Sequence, residues 1–203
     1  MTGRPRSVSD EAIFEAVAAV ITSVGPAGLT LAAVAKRVGV SAPALTQRFG
    51  SKHGLLVAFN TSEATAVSDL FAAARDEHPD PLEAVRATLA SLPGPITTPE
   101  GLANNLAFLQ MDLTDRELRV HAVTQSRAIR AVVAALVTEA IEAGQIAPGT
   151  SPEVLAADLY ATYCGAMLTW AIDGSGELTD WLGEHLDRTL APHRTHTEIG
   201  DKR

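Results

Sequence analysis

TLAAVAKRVGVSAPALTQRFGSK, residues 30–52, is the stretch from which the fold is read. Thr30 has the side chain to accept a hydrogen bond from the first turn of a helix. Leu31, Val34, Ala35 and Val38 follow at i, i+3, i+4 and i+7, so one face of that helix is apolar. Gly39 comes just past the last periodic residue, where left-handed backbone ends a helix with no steric penalty. Ser41 then caps a second helix, and Val40 before it is spaced to pack on Leu45 as a hydrophobic staple. Leu45 and Phe49 face inward at i and i+4, which leaves Ala42, Pro43, Thr46 and Gln47 pointing out. Two short helices joined by a glycine-containing turn make a helix-turn-helix. Its small, polar outer face lets a helix enter a DNA major groove and bring side chains to base edges. An ordinary pair of packed helices has the same local pattern, so the surroundings decide.

The surroundings favour a polyanion. The whole chain of 203 residues is acidic, with net charge −8, but residues 1–60 hold six bases (Arg4, Arg6, Lys36, Arg37, Arg48, Lys52) and only three acids (Asp10, Glu11, Glu15). That part is +3 and the remainder −11. Between Glu15 and Glu63 lie 47 positions without one carboxylate, where the chain-wide proportion predicts about five or six. Excluding acids from one region is what a phosphate-facing surface requires. Residues 1–8, MTGRPRSV, form an extended basic arm in which Arg4 and Arg6 flank Pro5, suited to phosphates or a minor groove.

Apolar residues make up 46% of the chain and aromatics 4%, with no strand-like alternation, so the fold class is all-α. The single cysteine, Cys164, excludes an internal disulfide framework and fits a reducing cytoplasm. No apolar leader follows Met1. Ser7 or Ser9 caps a first helix with the stripe Ile13, Val17, Val20, Ile21 and Val24, stopped by Gly25-Pro26-Ala27-Gly28. Ser51 caps a long helix from Lys52 to about Glu77 with Leu55, Leu56, Phe59, Val67, Leu70 and Phe71 inward. Further helices are predicted from Pro81, Pro99, Asp115, Pro152 and Glu177, those from Pro81, Asp115 and Pro152 closed by Gly or Pro, with a frayed tail from residue 192. Domain boundaries follow at 7–66, an N-terminal three-helix helix-turn-helix domain, and 67–203, a C-terminal helical domain. Val154 to Ile172 carries one formal charge, Asp158, and is apolar nearly all round, so it must be covered on several sides. Asp158 and the acidic flanks argue against a membrane span. With the last helix it is expected to form half of an intermolecular four-helix bundle, through Leu155, Leu159, Trp170, Leu178, Trp181, Leu182, His185 and Leu186.

The order of these features resembles the TetR family of bacterial transcriptional regulators. The resemblance is carried over about residues 10–60 by Gly28, Thr30, Val34-Ala35, Val38-Gly39-Val40-Ser41, Leu45, Phe49 and Ser51-Lys52. It implies a homodimer in which each head reads half of a near-palindromic double-stranded DNA operator. It also implies a C-terminal domain that binds a small-molecule effector and thereby releases DNA, most often in a repressor. The chain departs from the family at Thr46, where an aromatic (usually Tyr) is common, and at Arg48, where His or Tyr is frequent. Thr46 retains a hydroxyl and a methyl, and Arg48 is placed to supply the missing phosphate grip.

By position, Thr30 and Lys52 are phosphate-side residues, Ser41 is a further DNA-binding candidate, Gln47 is the candidate for base readout through its amide, and Ala42, Pro43 and Thr46 add shape and methyl contacts. A small enzyme or a helical interaction protein without DNA binding is the competing class. No nucleophile–base pair stands out, no glycine loop for phosphate, and no metal or other cofactor is called for; His193-x-x-His196 is the only close histidine pair. Cys164 reads as an inert core thiol. For the effector, Phe108, Met111, His121, Gln125, Tyr160, Tyr163, Cys164 and Met167 combine apolar bulk with isolated polar tips and are the expected pocket walls, which favours a mostly apolar ligand.

Overall fold

The computed structural model of the chain describes residues 8–94 and 96–195. Among them the chain forms nine helices and no β-strand: α1 (Asp10–Gly28), α2 (Leu31–Val38), α3 (Ala42–Phe49), α4 (Lys52–Glu77), α5 (Pro81–Ser91), α6 (Pro99–Thr114), α7 (Arg116–Glu142), α8 (Pro152–Asp173) and α9 (Leu178–Leu190). The caps explain the boundaries. Ser9, Thr30, Ser41, Asp80, Thr98 and Ser151 each accept a backbone N–H from the first turn of the helix they precede. Gly25, at φ 69°, breaks α1 before Pro26, so only its first four turns run as regular helix.

The chain groups into two compact units, Met1–Thr65 with Ile96–Gln125, and Ala66–Pro95 with Ser126–Arg203. In this grouping, unlike the division expected at residue 66/67, α6 and the first turns of α7 fall in the same unit as α1, α2 and α3. Polar and apolar contacts hold them there. The amides of Asn104 and Asn105 donate to the Thr22 carbonyl and hydroxyl, each at 3.0 Å. Phe108 and Leu118 enter one buried cluster with Ile13, Val17, Ile21, Val34, Leu45, Leu55 and Phe59. A side chain at position 25 would both strain the backbone and come within 2.9 Å of Asn104 Oδ1, so glycine is required there. Val24, expected in the α1 stripe, is instead 55% exposed because the helix turns away at Gly25.

The second unit has its own core. Leu82, Val85 and Leu89 of α5, Leu155, Leu159 and Trp170 of α8, and Leu178, Leu182, Leu186 and Leu190 of α9 are buried. The Trp170 indole donates to Gly176 O and the Trp181 indole to Ala166 O, which ties the α8–α9 turn to both helices. Leu70, expected inward on α4, is exposed. The tail is not frayed through Thr195. Ala191–His193 makes a 3₁₀ turn, Ala147 N donates to His193 O, and Thr195 N donates to Gln145 O.

Candidate nucleic-acid interface

The head is built around α1, which supplies an apolar floor for two eight-residue helices too short to persist alone. Val34, Ala35 and Leu45 are buried against it, with Val38, Val40 and Phe49 partly buried at the rim. Gly39, at φ 73°, lets the chain turn sharply, and its N–H returns to Ala35 O. Ser41 Oγ then accepts from Ala44 N. These contacts fix the roll of α3. Pro43, Ala44, Thr46 and Gln47 face out, and Ala42 is half-buried.

Thr30 Oγ1 accepts from Ala33 N at 3.0 Å, so its hydroxyl proton is free to donate outward. Thr46 Oγ1 donates back to Ala42 O, which leaves its methyl and an oxygen lone pair exposed. Lys52 Nζ donates to Pro26 O at 2.8 Å, tying the start of α4 to the end of α1; an ammonium has two further N–H donors. Gln47 is exposed, as direct readout requires. Lys36 and Arg37, in the last turn of α2, are two further exposed cations of the head, marked in the sequence by charge alone. Arg4 and Arg6 lie outside the described residues.

Arg48, expected to supply a phosphate grip, is engaged within its own chain. Its Nη2 lies 2.8 Å from Asp10 Oδ1 and its Nη1 donates to Val8 O at 2.6 Å. The guanidinium carbon sits 5.7 Å from the Phe49 ring centroid. Arg48 thus joins the end of α3 to the start of α1.

One functional candidate escaped the sequence reading. Asn60 on α4 and Asp112 on α6 are both buried, and the Asn60 amide donates to Asp112 Oδ1 at 3.1 Å. Burial, with the Asp115 charge adding to it against the Asn60 hydrogen bond, pushes the Asp112 carboxyl up to about 6. Nearby on α4, His53 Nε2 meets Asp115 Oδ2 at 3.2 Å and Thr61 Oγ1 meets His121 Nδ1 at 3.4 Å. Hydrogen bonds received from the Leu118 and Glu117 amides, and the neighbouring His53, hold Asp115 below the usual carboxylate range. Neither asparagine nor aspartate breaks the helical pattern here, so periodicity gave no sign of the pair.

Residues 13–59 match the family described as bacterial regulatory proteins, tetR family, and residues 81–191 match the BetI-type transcriptional repressor C-terminal family. The chain belongs to the TetR family. No curated protein matches it. Among solved structures it is similar to a TetR-family transcriptional regulator from Rhodococcus sp., at 23% identity and TM-score 0.70, over 92% of this chain and 98% of that one. A TetR transcription regulator from Haloarcula marismortui superposes at TM-score 0.75 with 18% identity, over 92% and 98%. SmeT, the repressor of the Stenotrophomonas maltophilia multidrug efflux pump SmeDEF, does so at TM-score 0.65 with 20% identity, over 94% and 93%. These likenesses carry the fold, and the family carries the coarse function: this TetR-family chain is a DNA-binding transcriptional regulator.

The expected ligand-pocket residues of this TetR-family chain fall into two sets. Phe108, Met111, His121 and Gln125 belong to the first unit, where Phe108 is buried with its ring 6.1 Å from Phe59 and Met111 packs on the head core. Tyr160, Tyr163, Cys164 and Met167 belong to the second, where Tyr160 and Tyr163 stack at 6.1 Å. Cys164 is exposed, which corrects its reading as a core thiol. The residues expected at a dimer contact lie as follows in the single chain. Leu155, Leu159, Trp170, Leu178, Leu182 and Leu186 are buried within their own chain, and Trp181 and His185 are half-buried, their rings 4.7 Å apart and tilted at 35°. The outward stripe of α8 is Val154, Asp158, Ala161, Gly165, Leu168 and Ile172, spaced alternately by four and three. Val154, Leu168 and Ile172 are 60%, 52% and 75% exposed.

Proposed function

We propose that this TetR-family regulator is a cytoplasmic homodimeric repressor that binds a near-palindromic operator and is released by a small-molecule effector. The observation that carries the DNA half is the outer face of α3. Capping, the Gly39 turn and the burial of Leu45 fix its roll, and Pro43, Ala44, Thr46 and Gln47 are left uncovered in a segment without acids. Gln47 is the base reader, because a side-chain amide matches the donor and acceptor of adenine in the major groove. Thr30, Ser41 and Lys52 hold the flanking phosphates with exposed or spare donors, and Ala42, Pro43 and Thr46 supply shape and methyl contacts.

The dimer half rests on α8. A helix stripe with three aliphatic side chains more than half exposed, and small residues between them, is suited to close packing on a second copy. The match to a repressor C-terminal family supports the sign of regulation. Release then requires an effector that prefers a head separation other than the about 34–36 Å needed for adjacent major grooves on one side of the duplex. Helix α4, which starts at Lys52 beside the head's turn and runs 26 residues, is the element through which that preference acts.

Selection from a random-sequence duplex pool tests the reading. It predicts enrichment of a two-fold-related sequence whose half-sites lie about one helical turn apart. Failure of any sequence to enrich contradicts it.

A further inference from the structure

We propose that Asp112 is a positioning residue: through Asn60 it latches the far end of α6 to α4, and the latch tightens as its carboxyl takes up a proton and loosens as it gives one up. The proposal rests on the DNA-binding reading and adds to it a control by pH.

Helix α6 meets both α1 and α4 within the first unit. Gly101, Asn104, Phe108 and Asp112 lie on one of its faces, at steps of three and four. At the near end the Asn104 amide donates to the Thr22 carbonyl of α1 at 3.0 Å. Gly101 leaves room for the same residue, since a Cβ there would sit 3.1 Å from Thr22 Cγ2. At the far end the Phe108 ring lies 6.1 Å from Phe59 of α4, and Asp112 Oδ1 accepts from the Asn60 amide at 3.1 Å. The near end is tied by amides and carbonyls, which do not titrate. The far end is tied by a carboxyl that is 6% exposed and in no ion pair among the described residues. Ionised, it is a buried charge with one neutral donor, which costs free energy. Burial outweighs the Asn60 hydrogen bond, and the carboxyl is pushed up to about 6.

The groups around Asp112 act in the same direction. Asp115, at the corner between α6 and α7, adds a like charge. Hydrogen bonds from the Leu118 and Glu117 amides hold Asp115 itself low, so it stays ionised. From α4, His53 reaches Asp115 Oδ2 at 3.2 Å and Glu117 Oε2 at 3.8 Å. A histidine gains charge as pH falls below neutrality, and a charged His53 draws the corner onto α4. Of the remaining titratable groups, His121 on α7 meets Thr61, and Glu63, one turn beyond Asn60, is exposed. From α1, the partner that α6 meets is the uncharged Thr22. A fall in pH thus closes the far end through both Asp112 and His53 and leaves the near end as it was. With α6 fixed at both ends, the floor helix α1 and the start of α4 at Lys52 are held together. A head held in this way gives up less freedom on docking to two half-sites. A carboxyl moved from 3.8 to about 6 changes the latch equilibrium by about tenfold between pH 5.0 and pH 7.5.

The experiment compares full-length wild type with Asp112→Asn, a near-isosteric side chain that keeps the Asn60 contact and cannot ionise. Amide hydrogen exchange, corrected for the intrinsic pH dependence, is followed at pH 5.0 and pH 7.5. In the wild type, protection of residues 108–118 should fall by up to about tenfold at the higher pH, while the first turns of α6 beside Thr22 stay protected. Asp112→Asn should remove most of that fall. Binding is then measured on the duplex that the wild type enriches from a random pool, with a scrambled duplex as the reference for general charge effects. Wild type should bind the enriched duplex about three- to tenfold more tightly at pH 5.0 than at pH 7.5. Asp112→Asn at pH 7.5 should match wild type at pH 5.0. The proposal is overturned if both proteins show the same change of protection with pH, if Asp112→Asn raises protection evenly in every helix at both pH values, as a merely structural residue would, or if it binds the enriched duplex no more tightly than wild type at pH 7.5. If the wild type enriches no duplex, the DNA-binding reading fails separately, and the exchange measurement still decides the latch.

Discussion

Replacing Asp112 by asparagine should stabilise the protein at neutral pH. Asp112 is 6% exposed, its Oδ1 accepts one hydrogen bond from Asn60, and none of its contacts is with a cation. Burial raises its carboxyl from the ordinary value of 3.8 to about 6. The folded form therefore keeps the proton longer than the unfolded chain does. The resulting stabilisation is complete below about pH 4 and is lost as pH rises through about 6. At about 1.4 kcal/mol per tenfold change in proton affinity the displacement corresponds to about 3 kcal/mol, and solvent screening of a partly hydrated carboxylate reduces this to about 2 kcal/mol. Asparagine has nearly the same shape, and its carbonyl oxygen still accepts from Asn60. Urea unfolding of wild type and Asp112→Asn from pH 4.5 to pH 7.5 measures the effect. The difference between the two proteins cancels the carboxylates they share, such as Asp115, whose stabilising contribution runs the other way and falls as pH drops. The variant should gain about 2 kcal/mol over wild type at pH 7.5, and the gain should shrink to about a third of that by pH 4.5. A variant less stable by the same amount at every pH would show that the ionised carboxylate is satisfied in place, and would refute the reasoning.

Other consequences follow from particular contacts. Gly25→Ala combines a left-handed backbone with a 2.9 Å approach to Asn104 Oδ1, so a loss of about 2 kcal/mol is expected in thermal or urea unfolding; a loss below about 0.5 kcal/mol would contradict the tight α1–α6 contact. Ser41→Ala removes the cap of α3 and should cost about 1 kcal/mol of stability, with weaker binding to every duplex alike. Leu168→Glu with Ile172→Glu places charge on the outward stripe of α8 and should give a monomer by sedimentation with little change in helix content; an unchanged dimer would move the interface elsewhere.

Where polar side chains repeat a simple rule, sequence and structure agree. Thr30, Ser41, Thr98 and Ser151 start helices because their oxygens satisfy first-turn amides, and that chemistry is local. The head was legible for the same reason: Leu31, Val34, Ala35, Val38, Leu45 and Phe49 mark one inward side. Helix α8 was not. It is apolar nearly all round, so periodicity could not tell which residues are buried in their own chain and which are left exposed. Leu155, Leu159 and Trp170 turned inward, and Val154, Leu168 and Ile172 turned out. The placement of α6 with the head was equally hidden, since Asn104 reaches Thr22 across 82 residues through a hydrogen bond that no helical pattern announces. Charge counting gives the net charge of residues 1–60 but not which charges pair, so the Arg48–Asp10 contact has no mark in the sequence.

The direct test of the central claim is equilibrium binding of wild type and Gln47→Ala to two duplexes, the enriched sequence and a scrambled one, at one salt concentration. If the uncovered face of α3 reads bases, Gln47→Ala loses about 1–3 kcal/mol on the enriched duplex and almost nothing on the scrambled one. Equal losses on both, or none on either, would mean that this face does not carry sequence recognition.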